Sequence, residues 1–142
     1  MKRSFFKRKL TKPMKRGRLR RKSKSPQRKL EEEIWQHCRR IQFNRYGKVC
    51  FTCRKPIEGQ NCHLGHFIPR SVGGVALRYN LSNLRPQCYF CNVNLGGNGS
   101  AFYKRLLEDE GQEYIDKLFI LKEQTTKALP YYLTLLERYA SM

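Results

Sequence analysis

Cys50-Phe51-Thr52-Cys53 and Cys88-Tyr89-Phe90-Cys91 decide how this chain is read. Each is a Cys-x-x-Cys knuckle, and 34 residues separate the two. Two intervening residues let one tight turn deliver two sulfurs. Two such turns can present four thiolates in a tetrahedron around zinc. A closed four-thiolate site keeps no open coordination position, so its expected role is structural. Such a site supplies about 10–16 kcal/mol of apparent binding energy, which becomes folding energy in a small domain. The six cysteines would also satisfy three disulfides in a secreted protein. However, no apolar stretch of a secretion signal follows the basic N-terminus, where Phe5, Phe6 and Leu10 alternate with charge. Metal binding in a reducing cytoplasm is the expectation. Cys62 lies outside the pairs and is assigned no role.

Outward from the knuckles the charge is uneven. The 142 residues carry 30 Lys+Arg against 11 Asp+Glu, a formal charge of +19. Residues 1–29 hold 15 of the basic side chains and no acid, which leaves the remainder at +4. This excludes an acidic solvating protein and points to a polyanionic partner. The arm, punctuated by Pro13, Gly17 and Pro26, is expected to be disordered until it meets that partner. Lys15, Arg16, Arg18, Arg20 and Arg21 are its candidate nucleic-acid contacts. The plainer alternatives are a solubilising tail, a localisation signal or, from the Arg-rich composition, a mitochondrial presequence, though no amphipathic stripe supports the last. No stretch approaches the ~20 apolar residues that a membrane span needs.

Behind the arm, residues 30–142 read as one domain. It consists of an N-terminal helix (30–47), a zinc-bearing core (48–98) and C-terminal helices (99–142). Ser25-Pro26 is a helix-start signature, followed by Glu31, Glu32 and Glu33 near the positive end of the helix. Leu30, Ile34, Cys38 and Ile41 recur at helical spacing with Trp35 beside them, and Gly47 is the stop. Cys38 on that stripe is expected to be a buried thiol. In the core, residues 66–68 read as a short strand, 71–74 as a loop and 75–79 as the returning strand. Residues 91–95 begin a short helix stopped by Gly96-Gly97. Ser100 can cap a helix ending at Gly111, a second helix covers about residues 112–127, and Pro130 precedes a last short one carrying Leu133, Leu136 and Tyr139.

The spacer between the knuckles holds Cys62-His63-Leu64-Gly65-His66-Phe67, then Asn83, then Cys91-Asn92. A histidine in a short strand, an asparagine in the next loop and a polar side chain opening a helix give the order His, Asn, Asn. At these residues the chain resembles zinc-stapled HNH (ββα-metal) nucleases, and more closely the phage NinG/Rap family of recombination nucleases. The resemblance rests on Cys50-x-x-Cys53, Gly65-His66-Phe67, Leu77-Arg78-Tyr79 ahead of Asn83, Gln87-Cys88-x-x-Cys91-Asn92, Gly97-Asn98, and Gly111-Gln112-Glu113 with Ile115-Asp116. It covers about residues 48–120 and leaves the basic arm outside.

The resemblance implies a small α+β fold with an HNH ββα-metal core, a four-cysteine zinc site and flanking helices. It implies that His66 is the general base, that Asn83 ties the loop behind it, and that Asn92 helps hold one catalytic divalent cation, Mg2+ or Mn2+. Where most HNH proteins place an acid directly before the base, this chain has Gly65. The family's ligand three residues ahead of the base is here His63. Histidine for aspartate lowers the negative charge of the site and favours manganese, nickel or zinc over magnesium. Asn98 either caps the next helix or reaches the metal through water. Arg70, Arg78 and Arg85 are either bidentate phosphate holders or solvated surface, and Phe67, Tyr79, Tyr89 and Phe90 are expected in the core.

The implied activity is metal-dependent cleavage of DNA, with branched recombination intermediates the favoured substrate, in the host cytoplasm if the chain is phage-encoded. If about six arm cations engage phosphates, log K falls with log salt at a slope of about −5. A homodimer through Tyr131, Tyr132 and Leu135 is one option, and an intramolecular core the simpler one. The rival functions are a non-catalytic zinc-stabilised nucleic-acid-binding protein and an organellar or ribosome-associated RNA-binding protein.

Overall fold

A computed structural model describes residues 23–124 and 127–142. Residues 1–22 of the arm, with the contacts assigned to Lys15, Arg16, Arg18, Arg20 and Arg21, lie outside the described residues; residues 26–29, expected to be disordered with the rest of the arm, are instead the first turn of a helix that Ser25 and Pro26 start.

Helix α1 spans Pro26–Tyr46. The Ser25 hydroxyl accepts from the Arg28 amide at 3.3 Å, Pro26 stands where a helix needs no N–H, and Gly47 leaves at φ +71° with its amide on the Phe43 carbonyl. Glu31 and Glu32 sit beyond the first turn and pair instead with Arg78 at 3.4 Å and Lys24 at 2.6 Å. The buried stripe is Ile34, Cys38 and Gln42. Cys38 donates to the Tyr79 carbonyl at 3.4 Å, and burial pushes its thiol up to about 12. Gln42 was not expected inside. It is buried because its amide donates to the Leu81 and Leu84 carbonyls, which a buried backbone must satisfy somewhere.

Strands β1 (His63–His66) and β2 (Leu84–Gln87) form an antiparallel pair, with His63 opposite Gln87 and His66 opposite Leu84. The first strand thus lies earlier than residues 66–68. The returning strand is not at residues 75–79, which form helix α2 (Gly74–Arg78) with Ala76 and Leu77 buried. Five residues cannot separate a period of two from one of 3.6. Pro86 meanwhile disguised the true partner, because proline is acceptable on an edge strand and a two-stranded sheet has nothing else. A 3-10 turn at Leu81–Asn83 leads into β2, and a turn of π-helix, Phe90–Asn94, follows it.

Helices α3 (Gly99–Glu110) and α4 (Gln112–Lys122) meet at Gly111, whose φ is +83°. α4 stops at Lys122 rather than 127, its end tightened by 3.2 Å bonds from the Glu123 and Gln124 amides to Ile120 and Leu121. Helix α5 (Ala128–Ala140) takes Pro130 into its first turn, where the missing N–H costs nothing. It buries Tyr132, Leu135 and Tyr139 while Leu133 is exposed. One core joins α1, the sheet and α5 through Ile34, Cys38, Leu64, Tyr79, Leu84 and Tyr132. A second joins the first knuckle, α2, α3 and α4 through Phe51, Leu77, Phe102, Leu106 and Ile115. Tyr132 and Leu135 are therefore engaged in the first core, and the Tyr131 hydroxyl bonds to the Ala76 carbonyl at 3.0 Å, so these side chains do not form a free dimer face. No helix among the described residues is long and apolar enough to cross a membrane.

Candidate functional site

The sulfurs of Cys50, Cys53, Cys88 and Cys91 lie within 4.8 Å of one another. Cys53 and Cys88 are separated by 3.8 Å, and zinc–sulfur bonds of about 2.3 Å in a tetrahedron require sulfurs about 3.8 Å apart. The donor set therefore fits a structural zinc ion. Burial opposes ionisation of Cys50, but hydrogen bonds from the Thr52 hydroxyl and from the Cys53 and Cys88 amides outweigh it and lower the pKa of its thiol, whereas burial and the neighbouring sulfurs push Cys53 and Cys88 up, so without a cation the four sulfurs do not ionise together. The Asn98 side chain does not cap α3. It turns to the Cys91 sulfur at 3.8 Å from a left-handed backbone at φ +50°.

Beside the cysteine cluster, a cleft of about 410 Å³ is lined by Trp35, Arg39, Cys62, His63, Leu64, His66, Arg70 and Asn92. The three residues that sequence placed in a catalytic metal site thus share one opening. Two hydrogen bonds fix the imidazoles. His63 Nε2 meets the Gln60 carbonyl at 3.2 Å, and His66 Nε2 meets the Arg78 carbonyl at 2.9 Å. A carbonyl only accepts, so in both rings Nε2 carries a proton, and a neutral ring in this orientation has its lone pair on Nδ1. Asn92 Nδ2 lies 3.3 Å from His63 Nδ1. Burial holds His66 below the ordinary histidine range, against the pull of the Arg78 carbonyl and aided by the Arg70 and Arg78 guanidiniums. Its ring stacks on Trp35, with centroids 5.8 Å apart and planes 4° from parallel. Sequence reading placed Trp35 only beside the apolar stripe. The lone tryptophan, set off that stripe, was the signal that it faces something else.

Gly65 leaves room for a neighbour on the paired strand. A Cβ there would overlap the side-chain amide of Gln87, which is fully buried and donates to Thr52 Oγ1 at 3.2 Å and to the Gly97 carbonyl at 2.8 Å. Gln87 Oε1 is buried without a hydrogen bond. With the Gln87 amide in place an acid before His66 has no space, and no carboxylate among the described residues lines the cleft beside His63 and Asn92. Asn83 is also fully buried. Its Oδ1 accepts from the Ile68 amide at 2.8 Å, and its Nδ2 donates to the Ile68 and Leu77 carbonyls at 3.0 and 3.2 Å. It thereby stitches the segment after His66 to the end of α2.

The three spacer arginines diverge. Arg70 is exposed at the mouth of the cleft. Arg78 is half-buried, pairs with Glu31 and lines a neighbouring hollow with Arg70 and Trp35. Arg85 is not a nucleic-acid contact: it is 1% exposed, bonds Glu110 at 2.7 Å, and lies 4.6 Å from the Tyr46 ring centre. It clamps β2 to the end of α3. Of the aromatics, Tyr79 is buried and Phe67 is packed against Phe102, but Tyr89 and Phe90 are 50% and 57% exposed. They lie outside the core because the second knuckle directs its sulfurs inward and its middle residues out.

A family model described as Bacteriophage Lambda NinG protein matches residues 2–140. The chain belongs to that family. No curated protein and no solved structure matches it.

Proposed function

We propose that this NinG-family chain is a metal-dependent DNA endonuclease acting on branched recombination intermediates. The observation that carries the proposal is the pair of imidazoles. Both donate Nε2–H to a backbone carbonyl, and both rings line a cleft that also holds Asn92. A ring N–H given to a carbonyl is the usual support for a histidine that binds metal or accepts a proton.

In this reading His66 Nδ1 takes a proton from the attacking water. Its lowered pKa keeps it neutral near pH 7. Trp35 and the Arg78 carbonyl hold the ring plane, and Asn83 fixes the backbone that follows it. A divalent cation bound by His63 and Asn92 would polarise the scissile phosphate and stabilise the leaving 3′ oxygen. The Asn92 amide can turn its oxygen toward such an ion, since either end of an asparagine amide satisfies a neighbour. Arg70 at the mouth suits an adjacent phosphate. The arm would add sequence-independent affinity.

The test is cleavage of a four-way DNA junction with manganese and with magnesium. The wild type should cut best with manganese, and His66→Ala should lower the rate by about 10²–10⁴-fold. Equal cutting by both proteins, or none in any metal, leaves a zinc-stabilised nucleic-acid-binding protein.

A further inference from the structure

Acids are absent from residues 59–107, although all 11 of the chain's acids lie on either side of that run. The run contains most of the cleft lining, the second knuckle and the π-helical turn. On that turn Tyr89, Phe90, Val93 and Leu95 are 50%, 57%, 48% and 48% exposed. Four large apolar side chains within seven residues, each about half in water, are not explained by either core. The turn that carries them is firmly held. Cys88 and Cys91 belong to the four-sulfur cluster, the Tyr89 amide donates to Asn61 Oδ1 at 2.7 Å, and the Leu95 amide closes on the Phe90 carbonyl at 3.0 Å. The patch also borders the cleft, since the Tyr89 ring meets His63 edge-on at 5.4 Å.

We propose that this turn is a stacking ledge for unpaired nucleobases. The inference rests on the reading of nucleic acid as the substrate and names which part of it the protein selects. An apolar protein partner would leave Arg70 at the cleft and the basic arm unmatched. Nucleic acid supplies phosphates for Arg70 and the basic arm, and flat apolar faces for Tyr89 and Phe90. In a continuous duplex those faces are covered by neighbouring pairs. At a fork, a junction or a single strand they are available, and aromatic side chains bind them with little regard to sequence. Val93 and Leu95 can act as an apolar wedge beside the opened step. The ledge therefore directs the cleft toward the place where a duplex ends.

The experiment uses the full zinc-loaded chain with His66→Ala, so that binding is read without cleavage. Three DNAs of matched length are compared: a blunt duplex, a fork with single-stranded arms, and a single strand with 2-aminopurine at unpaired positions. Adding Tyr89→Ser and Phe90→Ser together should weaken fork and single-strand binding roughly ten- to hundred-fold and duplex binding less than about two-fold. It should also abolish the quenching of 2-aminopurine while leaving the salt slope and the melting temperature unchanged. Phe90→Trp should retain fork preference. Equal loss on all three DNAs, or no loss on any, overturns the ledge. So does a wild-type dimer that the double substitution dissociates, because the patch is then a contact between copies. Cleavage by the unmodified protein is scored separately. A ledge without cleavage removes the nuclease reading alone, and cleavage without fork preference removes the ledge alone.

Discussion

The two knuckles have the same spacing and opposite surroundings. In the first, Phe51 and Thr52 are 4% and 5% exposed; in the second, Tyr89 and Phe90 are 50% and 57% exposed. Phe51 meets the Phe102 ring at 5.0 Å and gives its amide to the Pro86 carbonyl at 2.8 Å, so α3 and β2 close over it. The second knuckle opens into a helical turn whose outer side faces neither core. Spacing settles where the sulfurs go. The direction of the two middle residues is settled by the elements packed around them, so one pair builds stability and the other is left to act on something outside.

The largest expected effect treats the knuckles alike. Cys53→Ser and Cys88→Ser should each lose the expected single zinc ion by elemental analysis and, with it, cooperative thermal unfolding, a loss on the order of 10 kcal/mol. A variant from either knuckle that keeps its zinc breaks the symmetry. Next comes the contrast itself. Phe51→Ala should cost about 3–5 kcal/mol in urea unfolding as a buried aromatic is removed, while Phe90→Ala should stay within about 0.5 kcal/mol. Similar losses would mean that the exposed pair is part of a core after all. Gln87→Leu sharpens the link between the knuckles, since it keeps volume but drops the bonds to Thr52 and Gly97. It should cost about 1–3 kcal/mol and loosen both turns in hydrogen exchange. The smallest effect is in pH. Because burial lowers the His66 pKa, the neutral base survives into more acidic solution, so cleavage should fall off below the ordinary histidine range rather than within it. An acid limb centred at or above about pH 6.5 contradicts that.

Local signals were legible in the sequence, and distant ones were not. Ser25-Pro26 and Gly47 are caps readable from neighbours alone, and they bound α1 as expected. The four cysteines needed only their spacing. His63, His66 and Asn92 were grouped by order and resemblance, and they do line one cleft. Arg85 could not be read, because its burial depends on Glu110, which lies 25 positions along the chain. The return strand was hidden by Pro86, whose tolerance depends on sheet size. In α5, Tyr139 fits either of two stripes, and contact with α1 selects Tyr132 and Leu135, with Leu136 half-buried at the edge of the same core, over Leu133. Tyr89 and Phe90 look apolar enough for an interior, and only the packing around their turn excludes them.

The Gln87 amide lying across Gly65 has a consequence for redesign. If the cleft holds a cation as proposed, the donors open to it at position 65 are limited from the opposite strand, by a side chain that does not line the opening. Grafting aspartate at position 65 would first require shortening residue 87, and that would unfasten Thr52 from Gly97. Adding a carboxylate to the cleft is therefore a problem of rebuilding the brace before rewriting the pocket.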